Sequence, residues 1–165
     1  MRITVIGTPA PQGSKRHVGN GVMVESSKKV KPWRQDVKYA ALEMIDEAIV
    51  DPVHIRIAFY LVRPRSHYRT GANAALFRDS APEYPAGRPD LDKLLRSTLD
   101  GLGEAGVWRD DAQVVTITAL KLYADDRQPG AAIDIWAGPE PAEHLSASHT
   151  RTVLPDVQAA TEEAL

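Results

Sequence analysis

The sequence predicts an α+β domain with α/β-like character, a single mixed β-sheet with two main helices packed on it. Three observations lead there. Stretches of period-two and helical periodicity alternate in the order strand, hairpin, helix, strand, helix, strand, strand. The 165 residues suit one domain with a real core. No apolar run approaches the roughly 18 residues that a membrane span needs.

Residues 2–7 (RITVIG) alternate as a strand and not as a signal sequence, and Pro9, Pro11 and Gly13 break them into a loop. In 17–24, Asn20-Gly21 between apolar-rich flanks suits a type I′ turn, hence a β-hairpin. A helix is expected from about Pro32 to about Ala48, with Trp33, Val37, Ala40, Ala41, Met44, Ile45 and Ala48 at helical spacing. The clearest strand is 53–61, where Val53, Ile55, Ile57, Phe59 and Leu61 alternate with His54, Arg56, Ala58 and Tyr60. Segment 62–89 is irregular and long enough to be functional or disordered. A second helix is expected over about 91–102, its stripe formed by Leu91, Leu94, Leu95, Thr98, Leu99 and Leu102, with Gly101, Gly103 and Gly106 marking its end. Strands at about 113–123 and 131–137 complete the sheet. The remainder, 138–165, is acidic and rich in Ala, Pro and Ser. It is expected to lie outside the core, with at most a short helix near 156–164.

The net charge of −2 looks wrong for a nucleic-acid binder, but its distribution does not. The tail carries Glu140, Glu143, Asp156, Glu162 and Glu163 against Arg151, so the body is cationic. Lys15, Arg16, Lys28, Lys29, Lys31 and Arg34 face only Glu25 across 14–34, a local +5. Arg63, Arg65, Arg69 and Arg88 follow in the irregular segment. Such clusters are either phosphate-binding surfaces or solvated faces. His67 and Tyr68, within the same segment, either meet sugar or bases or are simply solvated. The absence of cysteine excludes disulfides and thiolate metal sites and suits a reducing cytoplasm.

The chemistry is concentrated in 88–111, RPDLDKLLRSTLDGLGEAGVWRDD. Asp90 and Asp92 flank a helix start. There the cap residue is not yet helical, so the two carboxylates can be aimed at one point. Asp110 and Asp111 precede the next strand, and helix-then-strand connectivity could return one of them to the same place. Converging carboxylates without His or Cys make a hard-oxygen site, suited to Mg2+ or Mn2+. The same residues also have ordinary uses: Asp90 as an N-cap, Asp92 on the helix dipole, Asp110 and Asp111 in a turn. Trp108 either buttresses the acidic pair or packs in the core, where Trp33 and Trp136 are also expected.

In combination, RPDLDKLLRSTLDGL, GVWRDDAQVV, the opening PAPQGSKR and the segment RPRSHYRTG resemble the RusA family of phage-type Holliday-junction resolvases over roughly 1–137. The resemblance implies a RusA-like nuclease domain over that span. It also implies a homodimer that binds four-way junctions and makes paired, magnesium-dependent nicks, in the bacterial cytoplasm if the chain is phage-encoded. It assigns essential roles to Asp90, Asp92 and Asp111, with Asp110 second to them. The family's essential lysine falls at Arg96 here, while a lysine stands at Lys93, so the phosphate-contacting cation is one of these two. The other readings are a metal-dependent nuclease without junction preference and a catalytically idle DNA-binding module.

Overall fold

The computed structural model describes residues 1–13, 15–17, 23–25 and 28–138. Its elements are β1 (Arg2–Ile6), β2 (Lys15–His17), β3 (Met23–Glu25), α1 (Val30–Leu42), β4 (Val53–Leu61), α2 (Leu91–Ala105), β5 (Val114–Tyr123) and β6 (Gly130–Ala137). Four strands form a mixed sheet in the order β1-β6-β4-β5, antiparallel except for the parallel pair β4–β5. The strands β2 and β3 pair antiparallel as the expected hairpin, whose Asn20-Gly21 turn lies outside the described residues. So does the acidic tail from 139 onward, with the short helix expected at 156–164.

The alternation of branched apolar residues produces the core. Ile3, Ile133, Ile57 and Ala119 stand in register across the four strands. The first three are fully buried, with Trp33 and Val37 of α1 and Leu94 and Leu102 of α2 in the same cluster. Gly101 lets the two helices close: a Cβ there would lie 3.0 Å from the Val37 side chain. The buried Trp33 indole is satisfied by Thr98 Oγ1 at 3.0 Å.

Three boundaries and two side chains depart from the sequence expectations. α1 begins before Pro32, which is harmless because first-turn N–H groups have no helical partner. It stops at Leu42 rather than Ala48 although no breaker residue intervenes. The reason is tertiary: Ile49 forms a parallel bridge to Trp108 and donates its N–H to Val107 O at 2.9 Å. α2 runs through Gly101 and Gly103 to Ala105, and only Gly106, left-handed at φ 77°, ends it. His54, expected on the outer face of β4, is 8% exposed, stacked on the half-buried Trp136 and held by Thr116 Oγ1 at 2.8 Å. Trp136 therefore packs on the opposite side of the sheet from the helices, not within the main core.

Candidate active site

Asp90 is the N-cap of α2, extended at ψ 137°, yet its side chain caps no backbone N–H. Its carboxylate instead meets Lys93 Nζ at 2.8 Å. That hydrogen bond and charge hold the Asp90 pKa below the usual carboxylate range and raise that of Lys93. Asp92, in the first helical turn, is exposed, as is Arg96 one turn further on. Sequence reasoning missed Lys121 of β5, whose ammonium binds Gly87 O and Pro89 O, both at 2.9 Å. It ties the turn that aims Asp90 to the sheet. A lysine on the strand face that Val115, Ile117 and Ala119 make apolar was the available signal.

Asp110 and Asp111, adjacent in sequence, have different duties. Asp110 takes the ordinary reading: its Oδ1 accepts from Ala112 N at 2.8 Å, within a capping box completed by Gln113. Asp111 is exposed, and its Oδ1 accepts from the Trp108 indole N–H at 2.9 Å, while the Trp108 ring is 4% exposed. Trp108 thus does both things that its position allowed: it packs in the core and orients a carboxylate. Trp108→Phe should keep the packing, remove the donor and lower cleavage by about 10- to 100-fold, the range for losing a ligand-orienting hydrogen bond. A folded Trp108→Phe protein with unchanged rate, compared by circular dichroism and initial velocities, would contradict that role.

The expected convergence of Asp90, Asp92 and Asp111 within one chain does not occur. A Cβ on Gly103 would stand 3.4 Å from Asp111 Oδ1, so Asp111 sits beside the last turns of α2. From Asp92 to Gly103 the helix climbs roughly 16 Å at 1.5 Å per residue. The cause is the length of α2, which carries the chain to Gly106 before the bridge between Trp108 and Ile49 turns it into β5. Among the described residues, no group of three or more His, Asp or Glu side chains is placed to hold a metal.

The basic residues divide in the same way. Lys28, Lys29, Lys31, Arg65 and Arg88 are exposed. Arg34 is not a free phosphate ligand: it pairs with Asp100 and reaches Gln12 Oε1 at 2.7 Å, joining α1, α2 and the first loop. Arg63, 7% exposed, binds Asp125 through two hydrogen bonds of 2.8 and 2.7 Å. Arg69 pairs with Asp79 at 2.7 Å. The side chains of Lys15 and Arg16 lie outside the described residues. The backbone leading to them is anchored on α2, with Gln12 N donating to Lys93 O at 2.9 Å and Ser97 Oγ to Ala10 O at 2.6 Å. The hairpin therefore leaves α2 at its Asp90 end.

The family profile described as Endodeoxyribonuclease RusA matches residues 7–136, spanning both aspartate pairs, α1, α2, β4, β5 and nearly all of β6. The chain belongs to the RusA endodeoxyribonuclease family. Among curated proteins, none matches it. As a member of this endodeoxyribonuclease family it has DNA as its substrate. No helix among the described residues is long and apolar enough to cross a membrane.

Proposed function

We propose that this member of the RusA endodeoxyribonuclease family resolves four-way DNA junctions in recombination and repair. It acts as a magnesium-dependent homodimer in which each metal site is shared between subunits. Asp90 and Asp92 come from one protomer and Asp111 from the other. One observation carries this reading: α2 presents the two groups of carboxylates at opposite ends of a single rod. A two-fold axis that sets two such helices antiparallel reverses those ends, so Asp111 of one copy meets Asp90 and Asp92 of its partner twice over.

A surface for such a contact exists. β5 is the outermost strand of the sheet, and Ile117, in register with the buried Ile55, faces the helix side. Nothing among the described residues fully covers it there, and Val115 and Ile117 remain 55% and 38% exposed. An apolar core face left open at a sheet edge is suited to burial against a second copy.

The donor set fits magnesium or manganese: carboxylate oxygens only, with the Asp90 pKa lowered further by its hydrogen bond to Lys93. When bound, the metal supplies an activated water and neutralises charge on the phosphate. The chain's own residues do the rest. Trp108 fixes one oxygen of Asp111, Lys121 holds the turn before Asp90, and Arg96 grips the scissile phosphate. Exposed Lys28, Lys29, Lys31, Arg65 and Arg88 hold the arms.

Cleavage of junction, flap and duplex DNA, with and without magnesium, tests the reading. Paired nicks in opposing strands of the junction, dependent on magnesium, are expected, with duplex left intact. Equal cutting of all three substrates would leave a nuclease without junction preference. Binding without cutting in magnesium or manganese would leave an idle binding module.

A further inference from the structure

Segment 67–78 is not a loose loop. Tyr68 bridges antiparallel to Phe77, Arg69 N donates to Leu76 O and Arg78 N to His67 O, both at 2.9 Å. Arginine side chains lock it further: Arg69 Nε binds Phe77 O at 3.1 Å and Arg78 Nε binds Tyr68 O at 2.8 Å. The Arg63 guanidinium lies 4.5 Å from the Phe77 ring centroid and 3.9 Å from that of Tyr123. The result is a preformed knuckle beside a groove of about 630 Å³. Its lining includes Val62, Pro64, Ala74, Tyr68, Thr70 and Arg65. Arg65 is exposed and forms no ion pair among the described residues.

We propose that this groove receives one unstacked nucleobase from the branch point of the DNA junction, an inference that rests on the junction reading above. A base has flat apolar faces and a polar edge, and the groove offers the matching pair. Tyr68 and the aliphatic lining suit the faces, and Thr70 and Arg65 suit the edge and its phosphate. The volume lies within the usual range of small-molecule sites, roughly 300–1,000 Å³. The location agrees. Tyr123, under the knuckle, follows Lys121 by two residues on β5, roughly 7 Å of strand, and Lys121 holds the turn before Asp90. Knuckle and Asp90 therefore share the carboxyl end of the parallel pair β4–β5. A junction offers bases released from stacking at its centre and duplex offers none, so a preformed base site converts branch structure into affinity.

The test pairs Ala74→Trp, which fills the groove without altering charge, with junctions carrying an abasic nucleotide at each branch-point position. Wild type should lose about tenfold in junction affinity to one abasic position, on the scale of one base stacked on an aromatic ring. Ala74→Trp should lose a similar factor on the intact junction and nothing more on the abasic one, with duplex affinity unchanged in both. A 5-iodouracil at the same position should photo-crosslink to Tyr68. Full junction affinity in Ala74→Trp, with no abasic effect and no crosslink, overturns the groove proposal while leaving junction selectivity standing. A change in oligomeric state of Ala74→Trp, measured by light scattering, overturns it in favour of a second copy in the groove. A wild-type protein that does not prefer junction to duplex refutes the functional reading itself.

Discussion

Asp92→Asn is expected to lower junction cleavage by about a thousandfold or more while leaving junction binding intact. The side chain is exposed in the first turn of α2, and among the described residues nothing packs on it that asparagine would disturb. The stability change should be small, since a carboxylate on a helix dipole contributes about 0.3–1 kcal/mol. The catalytic effect should be large, because the substitution removes the ligand's charge where the phosphodiester develops its own, and even one lost transition-state donor costs about 10²–10³. Binding should hold or tighten, because a negative charge that repels the backbone is gone. Single-turnover cleavage and gel-shift titration on the same junction check both halves. A folded Asp92→Asn protein that loses binding together with cleavage contradicts the metal-ligand role.

Arg96→Ala should cost about a hundredfold in cleavage rate, the next largest effect. Arg96 lies one turn after Asp92 and so on the same helix face. The competing cation is already engaged: Lys93 Nζ is 2.8 Å from Asp90, whereas Arg96 makes no ion pair among the described residues. A planar guanidinium can grip two phosphate oxygens at once through charge-assisted hydrogen bonds. A mere surface pair with Asp92 would be worth only about 0.3–0.5 kcal/mol. Arg96→Lys should recover much of the rate. Lys93→Ala should cost less than Arg96→Ala, because Asp90 stays ionised at neutral pH with or without its partner, the ordinary value being about 3.9. Near-normal turnover by Arg96→Ala at saturating magnesium would transfer the role to Lys93.

The fold was legible where one periodicity ruled a whole element. The alternation of Val53 to Leu61 located β4 to the residue, and the Leu94–Leu102 stripe located the buried side of α2. It was illegible where a distant partner decided. Nothing in 43–48 announces that Ile49 will leave the helix to pair with Trp108, and nothing near Gly101 says that its glycine makes room for Val37 rather than ending the helix. For the candidate site, the sequence offers residues to consider but not their geometry. Sequence spacing brings Asp90, Asp92 and Asp111 near one another along the chain, but the length of α2 separates Asp111, beside Gly103, from the pair at its start. Charge patterning is incomplete in a related way. Arg34, Arg63 and Arg69 look like phosphate contacts until their carboxylate partners, Asp100, Asp125 and Asp79, are seen. Two of those partners stand more than sixty residues away in sequence, beyond any local reading.

The shared site is tested most directly by mixing two inactive variants. Asp92→Asn and Asp111→Asn are each denatured, combined, refolded together and assayed for nicking of a four-way junction in magnesium. In a heterodimer with sites built across the interface, one site receives both substitutions and the other receives neither. Nicking of one strand per junction should therefore return in the mixture although each variant alone is silent. If instead the mixture stays as inactive as its components, with heterodimers shown to be present by differential tagging, then Asp92 and Asp111 serve the same site within one chain and the account of a site shared between subunits is wrong.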